Sequence, residues 1–400
     1  MTALTLNNFA RHETVLFDKA MIFSAVALIV IGFIAMTSAS IEFSAAKYND
    51  PFFHTVRYLF HLSLALVSGF IVYQIPMSFW QRTGWLWLLV GLSLLVFVLV
   101  AGREINGSRR WISLGPLSLQ CSEIAKACVI LYLAGYLVRR QDEVREQWSG
   151  FIKPMALLFI VTLLLMLEPD FGATVVTLGT AFGMIFLAGV RLGQFALVIL
   201  AALSALAILL INAPYRMARL ATFQDPWADQ FGGGYQLVQA LIAFGRGEWF
   251  GVGLGNSIQK LFYLPEAHTD FVFAIFAEEF GLIGSLTIIG LFSLLVVRIM
   301  RTGRQAEKVG ALFGAYVCYG VALMISGQAF INIGVNTGLL PTKGLTLPFL
   351  SYGGSSLLVC CGLLSIVCRV RYELGQALVK NHQAIKKTAN KKIKKRRGES

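Results

Sequence analysis

Charge is what this sequence has least of. Asp, Glu, Lys and Arg make up 14% of its 400 residues, against roughly a quarter in an ordinary soluble domain. With 56% of residues apolar, that scarcity excludes a disordered chain and a soluble enzyme built on one core. Cysteine is also sparse. Cys121, Cys128, Cys318, Cys360, Cys361 and Cys368 lie in or beside apolar runs with no CxxC pair, which excludes a disulfide-stapled secreted domain and offers no metal framework. Acid is scarcer than base, and the net charge is +13. Eight positive charges fall within 386–397, leaving a net of about five for the other 388 residues. The basicity is a tail and not a groove, so no nucleic-acid partner is expected. Internal repeats are absent as well.

What is present is a series of long apolar runs. Ten reach or approach the length a bilayer requires: 19–38, 56–74, 83–101, 121–138, 152–167, 172–188, 193–211, 271–297, 309–331 and 345–368. The expected fold is an all-α polytopic membrane protein of ten transmembrane helices. Residues 1–18 form a cytoplasmic lead into an uncleaved anchor, 19–375 the membrane domain, and 376–400 a basic cytoplasmic tail. Placing both termini inside assigns twenty-three Lys and Arg to inner segments and ten to outer ones, as the positive-inside rule demands. The tail would then lie on the anionic inner leaflet.

One connection stands apart, the outer loop 212–270 between the seventh and eighth spans. Long loops tend to carry function. Gly251, Gly253 and Gly255 suggest a nucleotide loop, but no strand precedes them and the loop faces outward, so that reading is rejected. The glycines instead allow tight turns or close approach of backbone to a bulky ligand. Asp270 closes the loop just as the eighth run begins. A carboxylate half-desolvated at that boundary has a raised pKa and suits a general base; an N-cap is the plainer alternative. Glu266 and His268 lie in the same short segment. Arg109, Arg110, Arg216, Arg219, Arg246 and Lys343 supply outward positive charge, fit for an anionic head group or for simple solvation. Within the spans, Glu123 and Lys126 stand three apart and can pair on one helix face. Glu278 and Glu279 lie two turns into the eighth span, and such ions are costly to bury. All four are expected to be structural ions of the bundle.

Residues 332–356 read NIGVNTGLLPTKGLTLPFLSYGGSS. This resembles the signature of the FtsW/RodA/SpoVE (SEDS) family of bacterial cell-wall proteins, through Asn332, Gly338, Pro341, Gly344, Ser351, Gly353, Gly354 and Ser355. Further pieces agree in order: 108–112, Ser122-Glu123 with Lys126, Glu168-Pro169-Asp170, 234–236, 245–247 and 265–270. The resemblance covers roughly residues 20–375. It departs at Cys121, where the family usually has proline; this touches the entry to the fourth span and no catalytic role. The wording of 265–270 and 342–348, with the basic tail, is closer to the family's division branch than to its elongation branch.

The resemblance implies ten transmembrane helices with a large outer loop, and an activity: polymerising lipid II into peptidoglycan strands at the outer face of the bacterial cytoplasmic membrane, at the division septum. It matches Asp270 to the family's essential aspartate and Lys343 to a position that matters for activity. It also implies partners, a class B penicillin-binding protein transpeptidase and other membrane proteins of the division machinery. The chemistry fits. A sugar hydroxyl needs a base to attack C1 of the donor, while a diphosphate leaving group needs positive charge more than a proton. Arg246, Lys343, Arg109, Arg219 or a divalent cation could supply that charge, and the sequence does not choose among them; no metal site is assigned. The rival readings are a lipid II flippase, with coupling ions at the bilayer midplane, and a scaffold that recruits the transpeptidase.

Overall fold

The computed structural model describes residues 17–105, 108–115, 117–197, 199, 200, 204, 223–341 and 344–398, with backbone alone at 103, 105, 114, 117 and 380–398. In chain order it contains helices α1 (Lys19–Tyr48), α2 (Phe53–Gln74) and α3 (Met77–Ala101); strands β1 (Arg103–Ile105), β2 (Ser108–Leu114) and β3 (Leu117–Gln120); and helices α4 (Cys121–Arg139), α5 (Gln141–Glu146), α6 (Trp148–Leu167), α7 (Phe171–Leu187), α8 (Tyr235–Gly247), α9 (Val272–Lys308), α10 (Leu312–Asn336) and α11 (Gly354–Gly398). Among the described residues seven helices, α1, α2, α3, α4, α6, α9 and α10, are long and apolar enough to cross a membrane, and α7 is a shorter apolar helix. The chain is a mostly helical, polytopic membrane protein.

α4 and α10 are the most enclosed of the spanning helices, packed against each other and against α7, while α9 covers α10 and α2 lies along α11. α2 and α3 face outward, with Leu66, Phe70, Ile71, Leu89 and Phe97 exposed as lipid-facing side chains should be. Asp18 starts α1 by accepting the Met21 amide at 3.1 Å and also pairs with Arg298 of α9 at 2.7 Å. That ion pair ties the beginning of the first helix to the far half of α9.

Three expectations change, and a fourth falls outside the described residues. The fold is not all-α: residues 103–120 form a three-stranded antiparallel sheet, with Ile105 opposite Ser108 and Leu114 opposite Leu117. Its sequence, β-branched and aromatic residues interrupted by Asn106-Gly107 and Gly115-Pro116, carries hairpin signals that hydropathy ignores. The helix expected from 345 begins at Gly354, because Pro348 disfavours helix at the residue before it. The span expected at 193–211 lies mostly outside the described residues.

The third change concerns the long loop and α9. α9 is broken at Gly281, whose φ of 67° and ψ of −163° are not helical. Before the break, 272–279 are all buried; lipid-type exposure starts after it, at Leu282, Ile283 and Leu286. The loop enters the break. Val252 and Gly253 donate to the carbonyls of Glu278 and Glu279 at 3.0 Å each, and Leu282 donates to the carbonyl of Glu248 at 2.9 Å. A Cβ on Gly251 would stand 2.1 Å from the Glu279 carbonyl oxygen, and one on Gly281 2.5 Å from the Gly251 nitrogen. These glycines serve an approach between two backbones of this chain, not an approach to a ligand.

Candidate active site around Asp270

Asp270 lies in the turn that leads into α9. It does not cap the helix, because the N-cap is Phe271 and no side chain closes it. The turn is held by its main chain. The Asp270 carbonyl accepts from Asn332 Nδ2 at 2.9 Å and Asn336 Nδ2 at 3.0 Å. The same two side chains bind the Leu345 carbonyl at 2.5 Å and the Ala274 amide at 3.1 Å. Spaced four apart, they share one face of α10 and fix three segments at once: the turn, the start of α9 and the 344–353 segment.

Among the described residues the carboxylate accepts no hydrogen bond, and the residue is not fully buried. A Cβ added to Gly344 would stand 2.9 Å from Oδ2, so this glycine leaves room beside it. Protein surrounds it otherwise, and that desolvation, followed by the negative charge of Glu266, pushes its pKa up to about 7, with Asp170 adding and Arg110 opposing. A carboxylate poised near neutrality, unpartnered and open on one side, can take a proton from a hydroxyl.

The surrounding groups divide clearly. Asp170 caps α7 through the Ala173 amide at 3.1 Å and accepts from Ser122 Oγ at 2.8 Å. Glu168, just before it, has both oxygens buried without a partner among the described residues, and burial pushes it up to about 8, so it is mostly neutral at pH 7. Arg110 reaches over this turn, donating from Nε to the Glu168 carbonyl at 3.1 Å and from Nη2 to the Pro169 carbonyl at 2.5 Å. Arg109, its neighbour on strand β2, points to the other face and pairs with Glu104 at 3.5 Å. Of the two arginines, Arg110 is the one whose charge bears on Asp270.

Glu266 is exposed, and its Oε2 accepts from Thr269 Oγ1 at 2.7 Å. The His268 ring packs among Phe43, His54 and Tyr352, with ring centres 5.1, 5.0 and 5.9 Å away, and its carbonyl accepts from the Tyr352 amide at 3.0 Å. Burial lowers its pKa, so it holds the loop as a neutral ring. Lys343 and Arg219 lie outside the described residues.

Arg246 has a different neighbour from the one its outward charge suggests. It ion-pairs with Glu278, which also accepts from Ser257 Oγ and from the Ile258 and Gln259 amides at 3.1 and 3.3 Å. Glu279 accepts from Lys260 Nζ at 3.0 Å and Ser38 Oγ at 2.6 Å, and Lys260 donates to Ser38 at 3.0 Å. The pair therefore clamps the loop onto α9 and α1. Lys126 meets Glu123 at 2.8 Å and Gln328 Oε1 at 2.9 Å, all buried, which is the pairing their spacing suggested. Sequence reasoning overlooked the job of Asn336 and Arg110; the four-residue Asn332–Asn336 spacing and strand alternation were the available signals. Among the described residues no three His, Cys, Asp or Glu side chains gather as a metal site.

Fold and site together define a polytopic membrane protein with an acid, Asp270, that lacks a hydrogen-bond partner among the described residues, at the mouth of a loop-clamped bundle. The chain belongs to the FtsW/RodA/SpoVE family: that family's model, described as cell cycle protein, matches residues 19–376. It is 54% identical over 375 residues to "Probable peptidoglycan glycosyltransferase FtsW" of Hahella chejuensis, covering 93% of this chain and 94% of that one. It is 51% identical over 359 residues to the protein of the same name from Coxiella burnetii, covering 89% and 96%. Among solved structures it resembles a chain from "Structural coordination of polymerization and crosslinking by a peptidoglycan synthase complex", with TM-score 0.73, 31% identity and coverage of 90% and 98%. It also resembles the rod shape determining protein RodA of Thermus thermophilus, with TM-score 0.66, 29% identity and coverage of 89% and 96%.

Proposed function

We propose that this chain is a peptidoglycan glycosyltransferase that joins lipid II units into glycan strands at the outer face of the cytoplasmic membrane. The observation that carries the reading is Asp270: a carboxylate held by its backbone, with no hydrogen-bond partner among the described residues and a proton affinity near neutrality. Asp270 takes the proton of the acceptor 4-hydroxyl as the oxygen attacks C1 of the donor sugar. The bond from C1 to the lipid diphosphate breaks, and the diphosphate leaves with the electron pair. Positive charge near the leaving group offsets its developing negative charge; Lys343, Arg219 and Arg110 are the candidates, whereas Arg246 is engaged by Glu278. Glu266 and His268 shape the mouth of the site.

The arrangement proposed is ten spans with both termini cytoplasmic, a membrane domain at 19–375 and an outer loop at 212–270. Septal cell-wall synthesis is the proposed role, in keeping with a family described as cell cycle protein. A transpeptidase partner of the class B penicillin-binding type is supported by the likeness to a chain of a synthase complex. The flippase reading would draw on intramembrane ions, but Glu123, Lys126, Glu278 and Glu279 are each paired, which favours chemistry at the outer mouth. The deciding experiment incubates purified full-length protein with labelled lipid II in detergent and resolves the products on a gel. Polymer is expected; its absence from well-folded protein, with and without a transpeptidase partner and divalent cations, would refute the enzyme reading.

A further inference from the structure

At the opposite end of the bundle from Asp270, α3 and α4 enclose an open cavity of about 680 Å³ lined by Ser78, Gln81, Arg82, Trp85 and Arg139. The two helices approach closely at glycines. A Cβ on Gly84 would stand 3.4 Å from the Leu131 carbonyl oxygen, and one on Gly91 3.0 Å from the Cys128 Cβ. That contact brings Arg82, near the start of α3, and Arg139, at the end of α4, to one cavity. Neither guanidinium has a hydrogen bond or ion pair among the described residues, and no carboxylate lines the cavity. Glu373 lines an adjoining cavity that shares Ser78 and Gln81. It is already engaged by Arg369 at 2.8 Å and by the Met77 amide at 3.0 Å.

The face of α3 that carries this cavity continues along the bundle as a mainly apolar stripe. Ser78, Arg82, Trp85, Leu89, Val96 and Val100 recur at helical spacing, and all are exposed. Ser93 is the one small polar residue among the aliphatic positions. From the end inward, the stripe is hydroxyl, cation, interfacial aromatic, then chiefly aliphatic. That order matches a phospholipid from phosphate to acyl chain. Two unpaired arginines held at one site also supply a charge that a zwitterionic headgroup does not use fully.

We propose that this cavity is a binding site for an anionic phospholipid of the phosphatidylglycerol type, its phosphate between Arg82 and Arg139 and an acyl chain along Trp85, Leu89 and Val96. With the orientation proposed above the cavity faces the inner leaflet; the binding itself does not depend on that orientation.

Full-length protein in mild detergent, exposed to phosphatidylglycerol or to phosphatidylcholine of the same chains, would be examined by native mass spectrometry for bound lipid. Preferential retention of phosphatidylglycerol is expected. Arg82→Gln with Arg139→Gln should weaken it by about thirty-fold, the effect of two charges at an anionic headgroup, with phosphatidylcholine unchanged. Arg82→Lys with Arg139→Lys should keep most of the preference. Equal retention of the two lipids, an unaltered preference in the Gln variant, or a Lys variant as weak as the Gln one would overturn the proposal. So would displacement of phosphatidylglycerol by equimolar inorganic phosphate, which would make this a free-anion site. Thermal melting of each variant, close to wild type, separates lost binding from lost folding. Polymerisation is not read, so failure of the enzyme reading leaves this test intact.

Discussion

Asp270 and the adjacent pair Glu278 and Glu279 lie eight and nine residues apart in sequence, and the protein treats them in opposite ways. Glu278 and Glu279 are buried; Glu278 spends both oxygens on Arg246, Ser257 and two loop amides, and Glu279 spends Oε1 on Lys260 and Ser38. Asp270 is fixed only through its carbonyl and keeps its carboxylate unpartnered among the described residues. A carboxylate paired with a cation and bonded by further donors is a fastener, since its charge is already stabilised. One stripped of water and given no donor binds a proton readily and has lone pairs to use. The two kinds of acid are also coupled in space: the fasteners seat the loop whose last residues are the Asp270 turn.

The largest effect should come from Asp270→Asn. Asparagine keeps the shape but cannot accept the hydroxyl proton, so polymer formation should fall by roughly 10²–10⁴-fold while size-exclusion profile and thermal melting stay near wild type. A well-folded Asn variant with near wild-type rate would erase the contrast between the two kinds of acid.

Glu279→Ala should do the reverse. It leaves Lys260 buried without its counter-charge, a loss of about 3–5 kcal/mol for a broken buried pair, visible as a lower melting temperature in detergent. Lys260→Met combined with Glu279→Met should recover much of that loss, because removing both charges removes the desolvation cost with the attraction. A single variant as stable as wild type would show that the clamp holds nothing.

A smaller and more diagnostic effect concerns pH. Asp270 must be ionised to act, and with its pKa pushed up to about 7 the rate should climb as pH rises through that value. Glu266 raises the proton affinity of Asp270 by like charge, so Glu266→Gln should move the acid limb of the profile to lower pH. An unmoved limb would separate Glu266 from the site.

How much of this was legible beforehand follows from the distance over which each feature is encoded. Glu123 and Lys126 lie three apart, so their pairing is a property of one helix and spacing reveals it. The apolar runs mark spans because burial in lipid acts on each run separately. The break in α9 is another matter: Gly281 gives no sign that Gly251, thirty residues earlier, will place its backbone there. Arg246 reads as an outward loop charge until Glu278 is seen beside it, because an ion pair across a fold leaves no local pattern. The sheet at 103–120 was written in its turn residues but hidden from a hydropathy scan.

Arg109 and Arg110 give the smallest effects and the finest comparison. They are consecutive, identical in chemistry, and set on opposite faces of β2. Arg109 meets Glu104 at 3.5 Å with both side chains more than half exposed, a pair that contributes between nothing and about 1 kcal/mol. Arg110 bridges the Glu168 and Pro169 carbonyls and lowers the proton affinity of Asp270. Arg110→Ala should therefore move the acid limb to higher pH, opposite to Glu266→Gln, and reduce the rate several-fold at pH 6.5 but less at pH 8, on the order of what one nearby charge does to a titrating group. Arg109→Ala should stay within about twofold of wild type at both pH values. A single pH–rate profile for each variant decides it. Equal losses would mean that the two arginines act on the substrate together, through general positive charge, and not on the carboxylate through strand geometry.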